Sequence, residues 1–461
     1  EESDQDDDDD DDDASQEENV RVLPQKDIAA SSIYGPAPWR SSTTIPAWMK
    51  EYFAWHQQVR HNITTGLNPW RDYDYLVVRC LDKDSKCGGG ADRLKTLPFM
   101  ILVGHKLKRI LLYKWERPAP LEEFLVPPAD GMDWRWPPHP EMDRVTPFRQ
   151  PNIQTGIQLN YYIGFVDPDP RNQVTKTPGI LGKVANVLIQ SNDHGSRQYN
   201  LQRKDTEASY DQVFRDVWYS VFVPSPPVQA KILERQQQLH LTPNNYHAIH
   251  IRSHYIHSFE DQALQQASSN SVNCLSEIAA DSSKEESLTP ETKVFVSSDG
   301  LAAAQAAVQY GKERGLANMV LRAPPDNSSE PILHLDRGTQ FISKKAHEYT
   351  RHDAPAYYDT FVDLYLLAQA KCIVFSLGNY GRWANLLSTD ADCYFDTMAR
   401  KRYQCPWKAD FELEESSNAE SEEDDDDDEE SDEAEDEESE LDDDDDEGDA
   451  ANKNTILNQP K

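Results

Sequence analysis

Two acidic tracts confine folding to the chain between them: eight consecutive aspartates at 6–13, and an Asp/Glu/Ser stretch from about 412 to 449. Such segments bury too little apolar surface to offset the entropy of ordering, and their like charges repel. Both are expected to be disordered tails, 1–19 and 412–461. They hold about half of the 82 acidic residues, so the formal charge of -36 belongs to the ends, and the body between them is close to neutral. The tails suit loose Ca²⁺ binding, a basic partner or a mineral surface, and equally a plain solvating role.

Within the body, the most apolar stretch, 97–113, is interrupted by His105, Lys106, Lys108 and Arg109. That argues for a buried helix and strand rather than a membrane span. Six cysteines permit three disulfides. Cys80 with Cys87, and Cys393 with Cys405, each flank a short polar loop and are the expected pairs. No CxxC spacing occurs and the cysteines do not cluster with histidines, so no metal site is expected. Asn62-Ile63-Thr64 and Asn327-Ser328-Ser329 are N-glycosylation sequons. With the cysteine parity they lean towards a secretory lumen, and a leader or anchor preceding Glu1 is compatible with this.

The apolar pattern alternates between strands and helices. Residues 75–80 read as a buried strand, 91–104 as a helix and 109–115 as a second strand, a βαβ unit. Residues 118–151, rich in proline, read as connection. Strands follow at 246–252, 293–297, 319–322 and 371–376, with helices at 301–313 and 357–370. The expected fold is therefore α/β with two Rossmann-like domains, 20–226 and 227–411, divided near the prolines at 224–227.

Four segments carry residue types suited to chemistry. Cys87-Gly88-Gly89-Gly90-Ala91-Asp92-Arg93 follows the first strand; its glycines permit close backbone approach, and Arg93 is placed to face phosphate. Asp92 reads equally well as a helix cap. His250-Ile251-Arg252 ends a strand, so Arg252 projects from the carboxyl edge of a sheet, where open α/β folds bind ligands. A guanidinium there suits a pyrophosphate, or a structural ion pair. His250 reads as a catalytic group or as an ordinary core histidine. Ser297-Ser298-Asp299 reads as an N-cap or as a contact to a nucleotide. Asp363 precedes Ser376-Leu377-Gly378-Asn379, a small-residue turn whose hydroxyl and N–H groups make a phosphate cradle.

In this order the four segments resemble the fucosyltransferase-like GT-B group, which includes the protein O-fucosyltransferases and the α1,6-fucosyltransferases. The resemblance spans about residues 75–390. It implies inverting, metal-independent transfer of a sugar from a GDP-sugar, GDP-fucose above all, to a hydroxyl of a glycan or glycoprotein acceptor. No cofactor is implied beyond that donor. Arg252 matches the arginine that neutralises the leaving β-phosphate, Ser376 the hydroxyl of the phosphate turn, and Asp299 an acid of the nucleotide pocket. An inverting transfer also wants a carboxylate to take the acceptor proton; Glu260 is the candidate, with Asp261 next. The implied compartment is the Golgi or endoplasmic reticulum lumen.

Two other readings remain open. Asp72-Tyr73-Asp74 and Asp390-Ala391-Asp392 have the form of a metal-binding DxD pair of a GT-A transferase. Alternatively, an inactive transferase-like body carries acidic cation- or mineral-binding tails. Nucleic acid is disfavoured as a partner, because the acidic tails would repel phosphate and no basic stripe with interleaved aromatics occurs.

Overall fold

The computed structural model describes residues 35–82, 89–95, 97–142, 148–149, 163–166, 210–253, 261–279, 288–321, 335, 353–376, 378–390, 392–397 and 404–409. The acidic tails, Cys87, Gly88, Glu260, Leu377 and the second sequon lie outside them.

The described chain is mixed α/β. After α1 (Ala47–Thr64), strand β1 (Tyr75–Cys80) pairs in parallel with β2 (Ile110–Trp115), and α2 (Gly90–Leu94) and α3 (Leu97–Leu107) connect them. One helix was expected over 91–104. Two form because Pro98, with no N–H to donate, is tolerated only in a first turn and so sits at the start of α3. This first sheet is not purely parallel. Strands β4 (Phe148–Arg149) and β5 (Ile163–Val166) extend it antiparallel, in the order β2-β1-β5-β4. A two-stranded antiparallel ribbon joins β3 (Leu125–Val126) to β6 (Val223–Pro224), between α4 (Tyr210–Val221) and α5 (Pro226–Leu239).

The second sheet is parallel throughout. Its strands are β7 (His247–Ile251), β8 (Val294–Ser298), β9 (Met319–Leu321), β10 (Ile373–Phe375) and β11 (Tyr394–Asp396), in the order β11-β10-β7-β8-β9. Helices α6 (Asp261–Ala279) and α7 (Leu301–Glu313) connect β7, β8 and β9. Helix α8 (Tyr358–Ala368) precedes β10, and α9 (Asn379–Leu387) links β10 to β11. The chain thus builds outward from β7 in one direction and then returns to its other side, so the strand order reverses between β7 and β10.

Side chains alternate across a strand, and here both faces are covered, which is why β7 and β8 read as near-continuous apolar runs. Ile249, Ile251, Val294 and Val296 pack with Val272 and Leu275 of α6 and Ala303 and Ala307 of α7. Ala248 and Phe295 face the opposite way, into a core shared with α8, α9 and the first sheet. That shared core is sealed by aromatics. Trp218 of α4 meets Trp383 of α9 edge-on at 5.3 Å and donates from Nε1 to the Tyr365 hydroxyl at 3.1 Å. Phe124 stacks on Phe361 at 4.8 Å. Both sheets belong to one compact unit.

Cys393 pairs with Cys372, and Cys405 with Cys274, which corrects the expected Cys393–Cys405 bridge. Parallel pairing puts the residues entering β10 and β11 side by side, so Cys372 meets Cys393. Segment 404–409 lies instead along α6, where the Cys405 N–H donates to Asn270 Oδ1 at 2.8 Å. Cys80 is also disulfide-bonded, to a partner outside the described residues. The two described bridges span 131 and 21 residues. In the chain-entropy account a loop of the longer kind contributes about 5 kcal/mol and the shorter about 3 kcal/mol. The Cys274→Ser/Cys405→Ser double variant should therefore unfold at lower denaturant than Cys372→Ser/Cys393→Ser, measured by equilibrium urea unfolding.

Candidate functional site

The carboxyl ends of β7, β8 and β10 lie side by side at the point where strand order reverses, the place where open α/β sheets form a ligand crevice. Register decides what meets there. Ile251 pairs with Ser298, so the next residues, Arg252 and Asp299, come together. Phe375 pairs with His250, which carries Ser376 to the start of the same turn.

Arg252 Nη1 lies 2.5 Å from Asp299 Oδ2. The other carboxylate oxygen of Asp299 accepts from the Ser253 N–H at 2.7 Å and from the Ser253 hydroxyl at 2.8 Å. On the other side of β7, the Arg252 N–H donates to Ser376 Oγ at 2.9 Å, and the Ser376 N–H donates to the His250 carbonyl at 3.2 Å. Gly378, at φ +90°, is the N-cap residue of α9. A methyl group on Gly378 would lie 3.8 Å from Arg252 Cγ. The positive end of α9 therefore lies beside the Arg252 side chain, with Asn379 exposed at its first position.

Beneath this rim the groups are buried. Ser297 Oγ donates to Asp363 Oδ2 of α8 at 2.9 Å, both residues being buried. His250 is buried with its ring 5.0 Å from that of Tyr380, and its Nδ1 has no hydrogen-bond partner among the described residues. Burial, opposed by Asp299 and reinforced by Arg252, lowers its pKa to about 4. The ring is neutral near pH 7, which fits a core histidine better than a proton acceptor. Gly381 admits this packing. A methyl there would collide with Phe375 Cβ and come within 3.1 Å of His250 Nδ1.

Several residues differ from expectation in their surroundings. The N-cap of α7 is Gly300, not Ser298 or Asp299. Ser298 Oγ instead accepts the Gly300 N–H at 3.1 Å, and the Asp299 carboxylate turns to Arg252 and Ser253. Gly89 leads into α2, which starts at Gly90, so Asp92 lies inside that helix rather than capping it. Arg93 is buried, donating to the Arg117 carbonyl at 2.7 Å with its guanidinium 4.6 Å from the Trp115 ring centroid. The close approach at Gly90 is to Leu335 and Trp383, which a methyl would meet at 2.7 and 3.3 Å. The glycine turn thus presses on α9, the helix that opens the site. Ser253, Gly300 and Gly381 were not anticipated; their signal is a small residue where strand ends converge. The DxD motifs lie elsewhere. Asp74 precedes β1 and Asp392 precedes β11, at the amino edges of the sheets. Among the described residues no group of three His, Cys, Asp or Glu is arranged to hold a metal.

No family model matches the sequence, and no curated protein matches it either. Solved structures similar in chain path include Bradyrhizobium NodZ fucosyltransferase, at 14% identity over 68% of this chain and 92% of that one, with a TM-score of 0.34. A NodZ α-1,6-fucosyltransferase soaked with GDP-fucose is similar at 14% identity over 68% and 91%, TM-score 0.36. An Arabidopsis thaliana FUT1 variant in complex with GDP is similar at 14% identity over 75% and 78%, TM-score 0.42. At these values the likeness carries no argument, and the chemistry of the site rests on its own residues.

His56, His247 and His250 are each lowered to about 4, in every case mainly by burial. An unfolded histidine binds its proton near pH 6.5, and these folded ones only near 4. Between those values the unfolded state holds more protons. The stability is complete above 6.5 and is lost as pH falls towards 4, by about 3 kcal/mol per residue. His250→Gln should flatten urea stability against pH across that window by about a third of the histidine contribution. Gly381→Ala, which crowds Phe375 and His250, should cost about 1–3 kcal/mol in the same assay at pH 7.

Proposed function

We propose that this chain is an inverting, metal-independent glycosyltransferase that moves a sugar, fucose by the sequence resemblance, from a GDP-sugar to a hydroxyl of a glycan or glycoprotein. The observation that carries the reading is the meeting of Arg252, Ser376 and the N-terminal end of α9 at the strand-order reversal of a parallel sheet. A forked cation beside the positive end of a helix suits a diphosphate.

The chemistry follows from charge. As the glycosidic bond to the β-phosphate lengthens, positive charge grows on the sugar and negative charge on the diphosphate. Arg252 and the dipole of α9 would stabilise that second charge where it develops. Ser376, whose hydroxyl accepts the Arg252 N–H, holds the arginine's backbone against β10. Asp363 and Ser297 brace α8 against β8 under the site. In this reading Glu260, shortly after Arg252, takes the acceptor proton, and Asp261 at the start of α6 is the alternative. A luminal compartment is supported by the two described disulfides and by the sequon at Asn62, which is partly exposed near the end of α1.

The test is calorimetric titration with GDP and GDP-fucose in EDTA, comparing wild type with Arg252→Ala. Loss of one charge-assisted contact should cost about 2 kcal/mol, a roughly thirtyfold weaker Kd. Absence of binding, or binding only when Mn²⁺ is restored, would sink the metal-independent mechanism.

A further inference from the structure

We infer that Asp299 is a built-in counter-ion that competes with the bound diphosphate for Arg252, weakening the hold on the diphosphate product so that it can leave. The inference rests on the diphosphate site proposed above and assigns Asp299 a role distinct from contacting the nucleoside.

Three observations carry it. First, the carboxylate is held in place independently of Arg252. One oxygen takes two hydrogen bonds from Ser253, and the other is directed at Nη1 of the arginine. Gly300 permits this closeness, since a methyl at that position would collide with the Ser253 hydroxyl. Second, the pair is poorly hydrated, with side-chain exposures of 15% for Arg252 and 8% for Asp299. Charges in such a setting are weakly screened, so a fixed carboxylate beside the anion site opposes an incoming diphosphate strongly. Third, sheet register enforces the arrangement. The residues following Ile251 and Ser298 are adjacent because the strands they leave are paired in that register.

Two effects of opposite sign follow for a diphosphate. The carboxylate orders the guanidinium, which favours binding, and it repels the ligand and offsets the arginine's charge, which disfavours it. Ordering one side chain is a small gain, whereas a like charge close by in a water-poor site is a large loss. The charge effect wins. Asp299 therefore acts as a positioning residue through Arg252, and the ion pair re-forms as the diphosphate departs.

The experiment measures binding of inorganic pyrophosphate and of GDP to the full chain by calorimetry, and GDP dissociation by stopped flow. Wild type is compared with Asp299→Asn, Asp299→Glu and Arg252→Ala. Asp299→Asn keeps the shape and an oxygen for the Ser253 donors but removes the charge. It should bind both ligands about tenfold more tightly, mostly through slower dissociation. Asp299→Glu keeps the charge and should show no such tightening. Damage to the fold does not tighten binding, so the sign of the effect separates this role from a structural one. Asp299→Ser is the second neutral variant if the amide does not fold. Weaker or unchanged pyrophosphate binding in the neutral variants overturns the inference, and a loss confined to GDP would reassign Asp299 to the nucleoside. If Arg252→Ala leaves pyrophosphate binding untouched, the proposed site itself fails, an outcome distinct from either of those.

Discussion

The parallel pairing of β7 with β8 on one side and β10 on the other is the constraint from which the site follows. Hydrogen bonding along these strands fixes His250 opposite both Ser297 and Phe375. The turns one residue further on have no freedom over which side chains they bring together. Arg252, Asp299 and Ser376 meet because the ladder ends there, where the strand order reverses. Register in a sheet buried on both faces is strongly specified, since a slip of one residue would turn every apolar side chain to the wrong side.

Burying this many polar groups is costly unless each is answered. The sheet answers them in pairs. Ser297 is matched to Asp363, Asp299 to Arg252 and Ser253, and Ser376 to the Arg252 N–H. His250 is the exception: it stays neutral because charging it in that surrounding is unfavourable. The small residues Gly300, Gly378 and Gly381 are the steric counterpart of this pairing. Gly300 and Gly381 let strand ends and the first turn of α9 approach more closely than larger residues allow, and Gly378 supplies the positive φ with which the chain enters α9. The first half of the chain contributes from behind. Trp218, Phe124 and Gly90 press on α8 and α9, so the helix that starts at these strand ends is buttressed by the other half of the chain.

Much of the second sheet was legible from pattern. Apolar runs at 247–251 and 294–298, and the alanine-rich helix Leu301–Glu313, follow directly from periodicity. The first sheet was less so. Its antiparallel strands β4 and β5 lie in a stretch rich in proline and polar residues, where strand pairing depends on long-range contacts rather than local preference. Helix α1 was missed for a related reason: its aromatics and histidines give a weak apolar stripe, and its burial comes from packing against β2, where His56 Nε2 bonds the Leu111 carbonyl.

The sequence by itself determined that strands alternate with helices, that an arginine, a hydroxyl and an acid stand at strand ends, and that glycine turns follow them. These are local properties, set by side-chain periodicity and backbone freedom. Tertiary structure alone decided their partners. Arg93, next to a glycine turn, went into the core to meet Trp115 and the Arg117 carbonyl, whereas Arg252 stayed at the rim. Cys393 joined Cys372 rather than its nearer neighbour in sequence. Asp299 left the helix cap for the guanidinium. In each case the choice was made by which strand lies beside which, and contacts between residues far apart in the chain have no signature in local sequence.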